Sequence, residues 1–148
     1  MATLNPNGSL FTTIDNKIAT LEFGHPASNS FPGELLERMT KELHNLSNNP
    51  EVSVIIVKSS GVVAFCAGAS FDELLAVSND EEGTKFFSGF ANLINAMRNC
   101  SKIIVGRIHG KAVGGGVGIA AACDYALATH KSSIKLPELA IGIGPFVI

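Results

Sequence analysis

Residues 109–125 read HGKAVGGGVGIAAACDY. Three consecutive glycines at 114–116 are followed by Gly118 and a run of small residues, and this run predicts a helix over 117–122. Glycine is unfavourable inside regular structure and useful where the backbone must approach another group closely. The stretch therefore predicts a tight junction before a helix, where either a packed element or a ligand comes close to the backbone.

Two common ligand motifs do not fit this glycine cluster. A phosphate-binding loop would need a Gly-Lys-Ser/Thr ending, which the stretch does not have. A dinucleotide fingerprint counted from Gly114 and Gly116 would place its third glycine at Ile119. The cluster therefore does not indicate a nucleotide phosphate as the group that approaches.

The composition of the chain limits which broad class of protein it can belong to. Of the 148 residues, 46% are hydrophobic and 16% are charged, which is typical of a folded domain with a large buried core. The net charge is -2 with no basic run, so a nucleic-acid surface is not expected. No apolar run reaches the roughly 18 residues of a membrane span, and the first residues do not form a signal peptide. We therefore expect a cytoplasmic protein without nucleic-acid or membrane partners.

The metal-ligating residue types do not cluster in the sequence. The three cysteines, Cys66, Cys100 and Cys123, form no Cys-x-x-Cys pair, and the four histidines are scattered. We expect no metal site and no disulfide framework, and we interpret Cys66 and Cys123 as small core residues.

Hydrophobic periodicity predicts alternating strands and helices. The expected strands are 9–15 and 17–23 around an Asp15-Asn16 turn, then 52–58, 103–108 and 125–128. The first expected helix begins at a Ser30 cap, has Pro32 in its first turn and ends at Asn48. A short helix is expected from Phe71, a third from an Asp80 cap, and a fourth over 117–122. Residues 59–70 are expected to form a loop. This order is typical of an α/β domain with a mainly parallel sheet.

A second loop of small residues, AFCAGAS at 64–70, also precedes a predicted helix. Helix N-termini carry unpaired N–H groups and the positive end of the helix dipole. Two such donors directed at one point can form an oxyanion hole, which stabilises charge developing on a carbonyl oxygen. A carbonyl is therefore one candidate for the group that approaches the glycine cluster, and close helix packing is the other.

Three segments in order, AFCAGASFDEL, HGKAVGGGVGIAAACDYALA and LPELAIGIGP, resemble the crotonase family, also called the enoyl-CoA hydratase/isomerase family. The resemblance extends from HPASNSF near residue 25 to residue 148. It implies a crotonase-like spiral of strand–strand–helix units. It also implies that residues 1–148 form the core of the fold, ending before C-terminal trimerisation helices. The expected assembly of the intact protein is a homotrimer or a dimer of trimers.

The resemblance also implies an acyl-CoA substrate, with coenzyme A as part of the substrate and no separate cofactor. The backbone N–H groups of Ala69 and Gly115 would form the oxyanion hole. Coenzyme A would lie along Cys66, Ala67 and Gly68 and near His25 and Ala27. These contacts with coenzyme A are implied by the resemblance alone.

The expected acid/base groups depart from the family pattern. Glu138, in Leu-Pro-Glu, matches a catalytic position, although an exposed turn residue is the alternative. The other catalytic glutamate of the family falls on Gly118, which has no side chain. Asp124 is expected to bind backbone. We therefore favour double-bond isomerisation by a single glutamate. The alternatives are an enoyl-CoA hydratase of fatty-acid or branched-chain catabolism whose acid comes from elsewhere, and a non-catalytic acyl-CoA binder or structural homologue.

Overall fold

A computed structural model describes residues 6–148 of the chain. The strands are β1 (Ser9–Asp15), β2 (Ile18–Gly24), β3 (Val54–Ser59), β4 (Ala64–Cys66), β5 (Ile103–Ile108), β6 (Lys111–Val113), β7 (Tyr125–Ala128) and β8 (Ser133–Lys135). The helices are α1 (Gly33–Ser47), α2 (Phe71–Ala76), α3 (Asp80–Arg98) and α4 (Gly115–Ala121), followed by a 3₁₀ turn at Glu138–Ile141.

The strands form two sheets and, from β3 onwards, alternate between them. The larger sheet has the order β1-β2-β3-β5-β7, and the smaller has the order β4-β6-β8. Only the β1–β2 hairpin is antiparallel; the other pairs in these sheets are parallel. Both strands of the first unit, β1–β2–α1, lie in the larger sheet, and each later unit places one strand in each sheet before a helix or the 3₁₀ turn, as in β5–β6–α4. The expected α/β spiral of strand–strand–helix units is therefore confirmed.

The three short strands of the smaller sheet were not predicted. Each has only three residues, and residues 64–66 were expected to lie in a loop. Strands this short show no readable alternation of polar and apolar side chains. They exist because β4 pairs with β6 and β6 pairs with β8, across long sequence separations.

The core lies between the inner face of the larger sheet, the smaller sheet, and helices α1 and α3. Along β2 and β3 every second residue is buried, because successive side chains of a strand point to opposite faces. Phe31 links the layers: its ring centroid lies 4.8 Å from that of Phe23 and 5.9 Å from that of Phe90. Phe65 of β4 completes this aromatic cluster at 5.5 Å from Phe23.

Three local predictions were wrong in detail. The first turn is centred on Asn16 and Lys17, whose positive φ angles of 49° and 64° suit a two-residue hairpin. Helix α1 begins after Pro32, and Ser30 instead has its hydroxyl 3.1 Å from His25 Nδ1. Helix α3 is capped by Asn79, whose side chain accepts a hydrogen bond from Glu82 N at 2.9 Å, not by Asp80.

Candidate active site

The two loops of small residues meet at Gly68. Its φ of +91° is strained for residues with a side chain. A Cβ built on Gly68 would lie 2.9 Å from Val113 O and 3.5 Å from Gly115 N. The loop after β4 and the glycine cluster after β6 are therefore in direct contact, which requires glycine at position 68.

The backbone of Ala69 is oriented by its pairing with Phe31. Phe31 N donates to Gly68 O at 2.8 Å, and Ser70 N donates to Phe31 O at 3.0 Å. In a parallel bridge of this kind, the N–H of the intervening residue points to the other side. Within residues 6–148, the N–H of Ala69 donates no hydrogen bond.

Gly115 supplies a second unpaired donor. It is the first residue of α4, where backbone N–H groups have no partner within the helix. Its N–H donates no hydrogen bond within the described part of the chain. Close packing fixes the position, because a Cβ on Gly115 would collide with the ring of Phe90.

Ala69 and Gly115 line the same cavity, of about 200 Å³. Its walls are mainly apolar and come from α2, α3, the 3₁₀ turn and the segment after it: Phe71, Leu74, Phe86, Phe87, Phe90, Ile141 and Ile143. Unpaired donors with apolar surroundings interact strongly with charge, because little water screens them. The cavity is therefore suited to a group that develops negative charge on an oxygen.

Glu138 brings a carboxylate into this cavity. The pairing of β6 with β8, together with the 2.9 Å hydrogen bond from Gly114 N to Lys135 O, places the 3₁₀ turn over the glycine cluster. A Cβ on Gly114 would lie 3.0 Å from Glu138 Oε1. Glu138 Oε2 is buried and has no hydrogen-bond partner. A buried polar atom without a partner is costly, and a substrate proton would satisfy it.

The position of the family's other glutamate is filled by apolar groups. Gly118 is buried in α4, and a Cβ there would lie 2.7 Å from Ile94 Cδ1 and 3.0 Å from Ile148 Cγ2. Among the described residues that line the cavity, Glu138 is the only ionisable side chain. The cavity therefore contains one carboxylate and no second acid or base from this part of the chain.

The residues expected near coenzyme A occupy different environments. Ala67 and Gly68 line the cavity, whereas Cys66 is fully buried behind it. Burial raises the pKa of the Cys66 thiol to about 12, so the thiol stays neutral. A Cβ on Gly116 would lie 2.6 Å from Cys66 O, which shows how closely α4 packs on β4. The side chain of Cys66 thus supports the site from behind and does not face the cavity.

His25 and Ala27 lie on an exposed loop outside the cavity lining. His25 Nε2 lies 2.9 Å from Pro6 O, and Ala27 N donates to His25 Nδ1 at 3.1 Å. The loop is held by Asn29, which sequence analysis did not single out. The Asn29 side chain donates to Ser60 O at 2.8 Å and Ala64 O at 2.9 Å, and accepts from His25 N at 3.0 Å. A buried asparagine with φ of 58° is a positioning residue for this loop.

Asp124 has the structural role expected of it. Its Oδ2 accepts a hydrogen bond of 2.7 Å from Ile104 N, which joins the segment between α4 and β7 to β5. In the described range, no three His, Cys, Asp or Glu side chains group as metal ligands would. No helix in that range is long and apolar enough to cross a membrane.

Comparison with known proteins decides the family. The sequence profile described as enoyl-CoA hydratase/isomerase matches residues 13–148. This chain belongs to that family. A short-chain-enoyl-CoA hydratase of Clostridium acetobutylicum is 29% identical over 132 residues, which cover 88% of this chain and 50% of that protein. The mitochondrial 3-hydroxyisobutyryl-CoA hydrolase of Homo sapiens is 33% identical over 124 residues, covering 80% of this chain and 31% of that protein.

Solved structures agree with this assignment. DspI of Pseudomonas aeruginosa superposes with a TM-score of 0.87 at 25% identity, over 92% of this chain and 55% of DspI. An enoyl-CoA hydratase of Bacillus anthracis superposes with a TM-score of 0.84 at 26% identity, over 94% of this chain and 54% of the hydratase. The chain thus spans between about a third and about half of the length of these relatives. The family resemblance and the crotonase-like fold are confirmed.

Proposed function

We propose that the protein containing this chain is an acyl-CoA enzyme that stabilises a thioester enolate. One observation carries the proposal: two unpaired backbone donors, Ala69 and Gly115, and one unpartnered carboxylate oxygen of Glu138 adjoin a single apolar cavity. The family membership supports an acyl-CoA as the ligand.

In this proposal the thioester oxygen lies between the N–H groups of Ala69 and Gly115. Removal of a proton from C2 places negative charge on that oxygen, and preorganised donors stabilise such charge most effectively. Glu138 takes the C2 proton. The coenzyme A portion extends along Ala67 and Gly68 towards the His25–Ala27 loop, as the resemblance implies.

The reaction favoured by this arrangement is the shift of a 3-enoyl-CoA to a 2-enoyl-CoA. A single carboxylate can take a proton from C2 and return it to C4. Hydration needs a base for water and an acid for carbon, and Gly118 offers neither because it has no side chain; Ile94 and Ile148 fill the space beside it. Glu138 alone would therefore serve both steps of an isomerisation.

Two other functions remain as alternatives. An enoyl-CoA hydratase would need an acid from a part of the protein outside this chain. A non-catalytic acyl-CoA binder would use the same donors without proton transfer. The relatives are named for more than one reaction of CoA thioesters, since one is named a hydratase and another a hydrolase.

Separate assays of the complete protein with 3-hexenoyl-CoA and 2-hexenoyl-CoA test the reaction. We expect isomerisation of the first to exceed hydration of the second. Glu138→Gln should lower isomerisation by about 100-fold or more, which is the usual contribution of a general acid/base. Glu51→Gln, an exposed glutamate outside the cavity, is the matched control and should be active.

Titration with acetoacetyl-CoA, an enolate-like ligand, separates binding from catalysis. Glu138→Gln should still bind it, because the Ala69 and Gly115 donors are unchanged. Fast hydration of 2-hexenoyl-CoA without isomerisation would instead support the hydratase. Saturable binding with no turnover of either substrate would support the non-catalytic binder.

We also propose that the complete protein is a homotrimer or a dimer of trimers, as the family resemblance implies. Light scattering should give three or six times the mass of one chain. A stable monomer would contradict the proposal.

A further inference from the structure

Phe90 of α3 packs beside both unpaired donors of the cavity. Its side chain is only 4% exposed, and it forms part of the same cavity wall as Ala69 and Gly115. A buried ring in contact with backbone resists movement of that backbone, because protein interiors are close-packed. The ring can therefore hold the donors in place as well as close the cavity.

On the Gly115 side the contact is direct. A Cβ built on Gly115 would lie 2.6 Å from Phe90 Cζ and 2.7 Å from Phe90 Cδ1. Because a Cβ is one bond from its Cα, the ring is in van der Waals contact with the backbone of Gly115. Gly115 is the first residue of α4 and does not have a positive φ. The ring, and not the backbone conformation, is therefore what requires glycine here.

On the Ala69 side the contact passes through Phe31. The ring centroids of Phe31 and Phe90 are 5.9 Å apart with their planes at 66°, an edge-to-face arrangement. The backbone of Phe31 donates to Gly68 O and accepts from Ser70 N, so it holds the residues on both sides of Ala69. A shift of the Phe31 ring would therefore be transmitted to the Ala69 N–H.

The ring of Phe90 is itself held by close packing on its other sides. A Cβ built on the preceding residue, Gly89, would lie 2.8 Å from Leu36 Cδ1, so α3 lies close against α1 at this point. Phe31 is fully buried, and its ring centroid lies 4.8 Å from that of Phe23 in β2. With these neighbours in place, the size of the Phe90 ring sets the space between the supports of the two donors.

On the basis of the proposed enolate chemistry, we infer that Phe90 is a positioning residue whose ring fixes the separation of the Ala69 and Gly115 N–H groups. Such donors are effective when they lie about 2.7–3.1 Å from the oxygen on which charge develops. A smaller side chain at position 90 leaves a void into which the surrounding backbone partly relaxes. The donors then move relative to each other, and a charged enolate loses more binding energy than a neutral thioester does.

Binding of two CoA thioesters to the complete protein tests the inference. Acetoacetyl-CoA is enolate-like, whereas butyryl-CoA has an acyl chain of the same length and stays neutral. We expect Phe90→Leu to bind acetoacetyl-CoA at least about 10-fold more weakly than the parent protein, with a much smaller change for butyryl-CoA, because the charged oxygen depends most on donor geometry. In turnover of 3-hexenoyl-CoA, kcat should fall while KM changes little.

Three further variants separate positioning from a general loss of packing. Phe87→Leu trims another aromatic residue of the same cavity wall and should weaken the binding of both ligands by similar factors. Leu93→Val trims a fully buried residue of α3 and should lower the free energy of unfolding without changing the preference between the ligands. Phe90→Met keeps a longer side chain and should lie between the parent protein and Phe90→Leu. Urea unfolding establishes that each variant is folded, and Phe90→Met carries the test if Phe90→Leu does not fold.

A size exchange tests the contact between Phe90 and Gly115. Gly115→Ala alone should reduce the preference for acetoacetyl-CoA, because the added methyl group collides with the Phe90 ring. In the Phe90→Leu background the methyl group has room, so the same substitution should be less damaging or should restore part of the preference. Such non-additive effects are expected only of residues that interact.

Two results would overturn the inference alone. The first is a parent protein that prefers acetoacetyl-CoA together with folded Phe90→Leu and Phe90→Met variants that keep this preference, which would make Phe90 a wall of the cavity and no more. The second is an effect of Gly115→Ala that is the same with and without the Phe90 ring. A parent protein that binds acetoacetyl-CoA no more tightly than butyryl-CoA would instead refute the proposed enolate function, and the role of Phe90 with it.

Discussion

Gly68 shows what a missing side chain does at the scale of one residue. Gly68 and Gly61 both have positive φ, +91° and +78°, but only Gly68 has atoms where its Cβ would be. Gly61→Ala should cost about 1–2 kcal/mol of stability from φ strain alone. Gly68→Ala adds the contact with Val113 O and should also shift the Ala69 donor away from Gly115. We expect the proposed isomerisation to be at least 10-fold slower in Gly68→Ala than in Gly61→Ala, as measured by turnover; urea unfolding measures the stability of both variants. Equal activity of the two variants would contradict this role.

The buried Cys66 thiol predicts a dependence of stability on alkaline pH. Burial raises its pKa from the ordinary value of 9.0 to about 12, so the folded chain keeps a proton that the unfolded chain loses. Stability from this group is complete below pH 9 and declines from pH 9 towards 12, by up to about 1.4 kcal/mol per pH unit. Urea midpoints at pH 8, 9 and 10 should fall less steeply for Cys66→Ala than for Cys100→Ala. The same slope in both variants would refute the prediction.

At the scale of elements, α3 depends on a cap that the sequence leaves ambiguous. Asn79 and Asp80 are both good capping residues, and only the backbone conformation decides between them. Asn79 is extended at φ -151° and ψ 170°, and its side chain binds Glu82 N. Asn79→Ala should cost about 1 kcal/mol in urea unfolding. Asp80→Ala should cost only about 0.3–1 kcal/mol, because it interacts with the helix dipole alone. A larger loss for Asp80→Ala would contradict the assignment.

How far each element could be predicted follows from its length and its local pattern. Helix α1 and strand β5 have enough residues for the 3.6- and 2-residue periods to appear. Strand β6, of three residues, forms through hydrogen bonds to distant strands, which no local pattern records. The site residues likewise differ in the kind of information that predicted them. Ala69, Gly115 and Glu138 followed from the family resemblance, whereas the local glycine pattern alone left packing and ligand binding open.

At the scale of the whole molecule, the two sheets and the exposed His25 loop meet at Asn29. Its side chain binds the backbone at the first residue of β4, Ala64, and at the residues just after β3 and β2, Ser60 and His25. Sequence analysis missed it because these partners lie up to 35 residues away, and nothing beside Asn29 in the chain marks them. One buried amide therefore links the ends of β2 and β3 in the larger sheet and the start of β4 in the smaller sheet to the loop expected near coenzyme A.

Asn29→Gly should destabilise the entire fold without φ strain, since glycine accepts the φ of 58° that asparagine has here. The substitution removes three hydrogen bonds and leaves the buried Ala64 carbonyl unsatisfied, so we expect a loss of about 2–4 kcal/mol in urea unfolding. Asn29→Asp keeps the acceptor for His25 N but loses both donors, and should be nearly as unstable. Asn45→Ala is the control, because glycine would destabilise α1 at this position. The exposed Asn45 amide donates only to Glu42, so its loss should lower the free energy of unfolding by less than about 0.5 kcal/mol. If Asn29→Gly lowers the free energy of unfolding by less than about 1 kcal/mol, the segments at His25, Ser60 and Ala64 are held together by the surrounding packing and not by the Asn29 side chain.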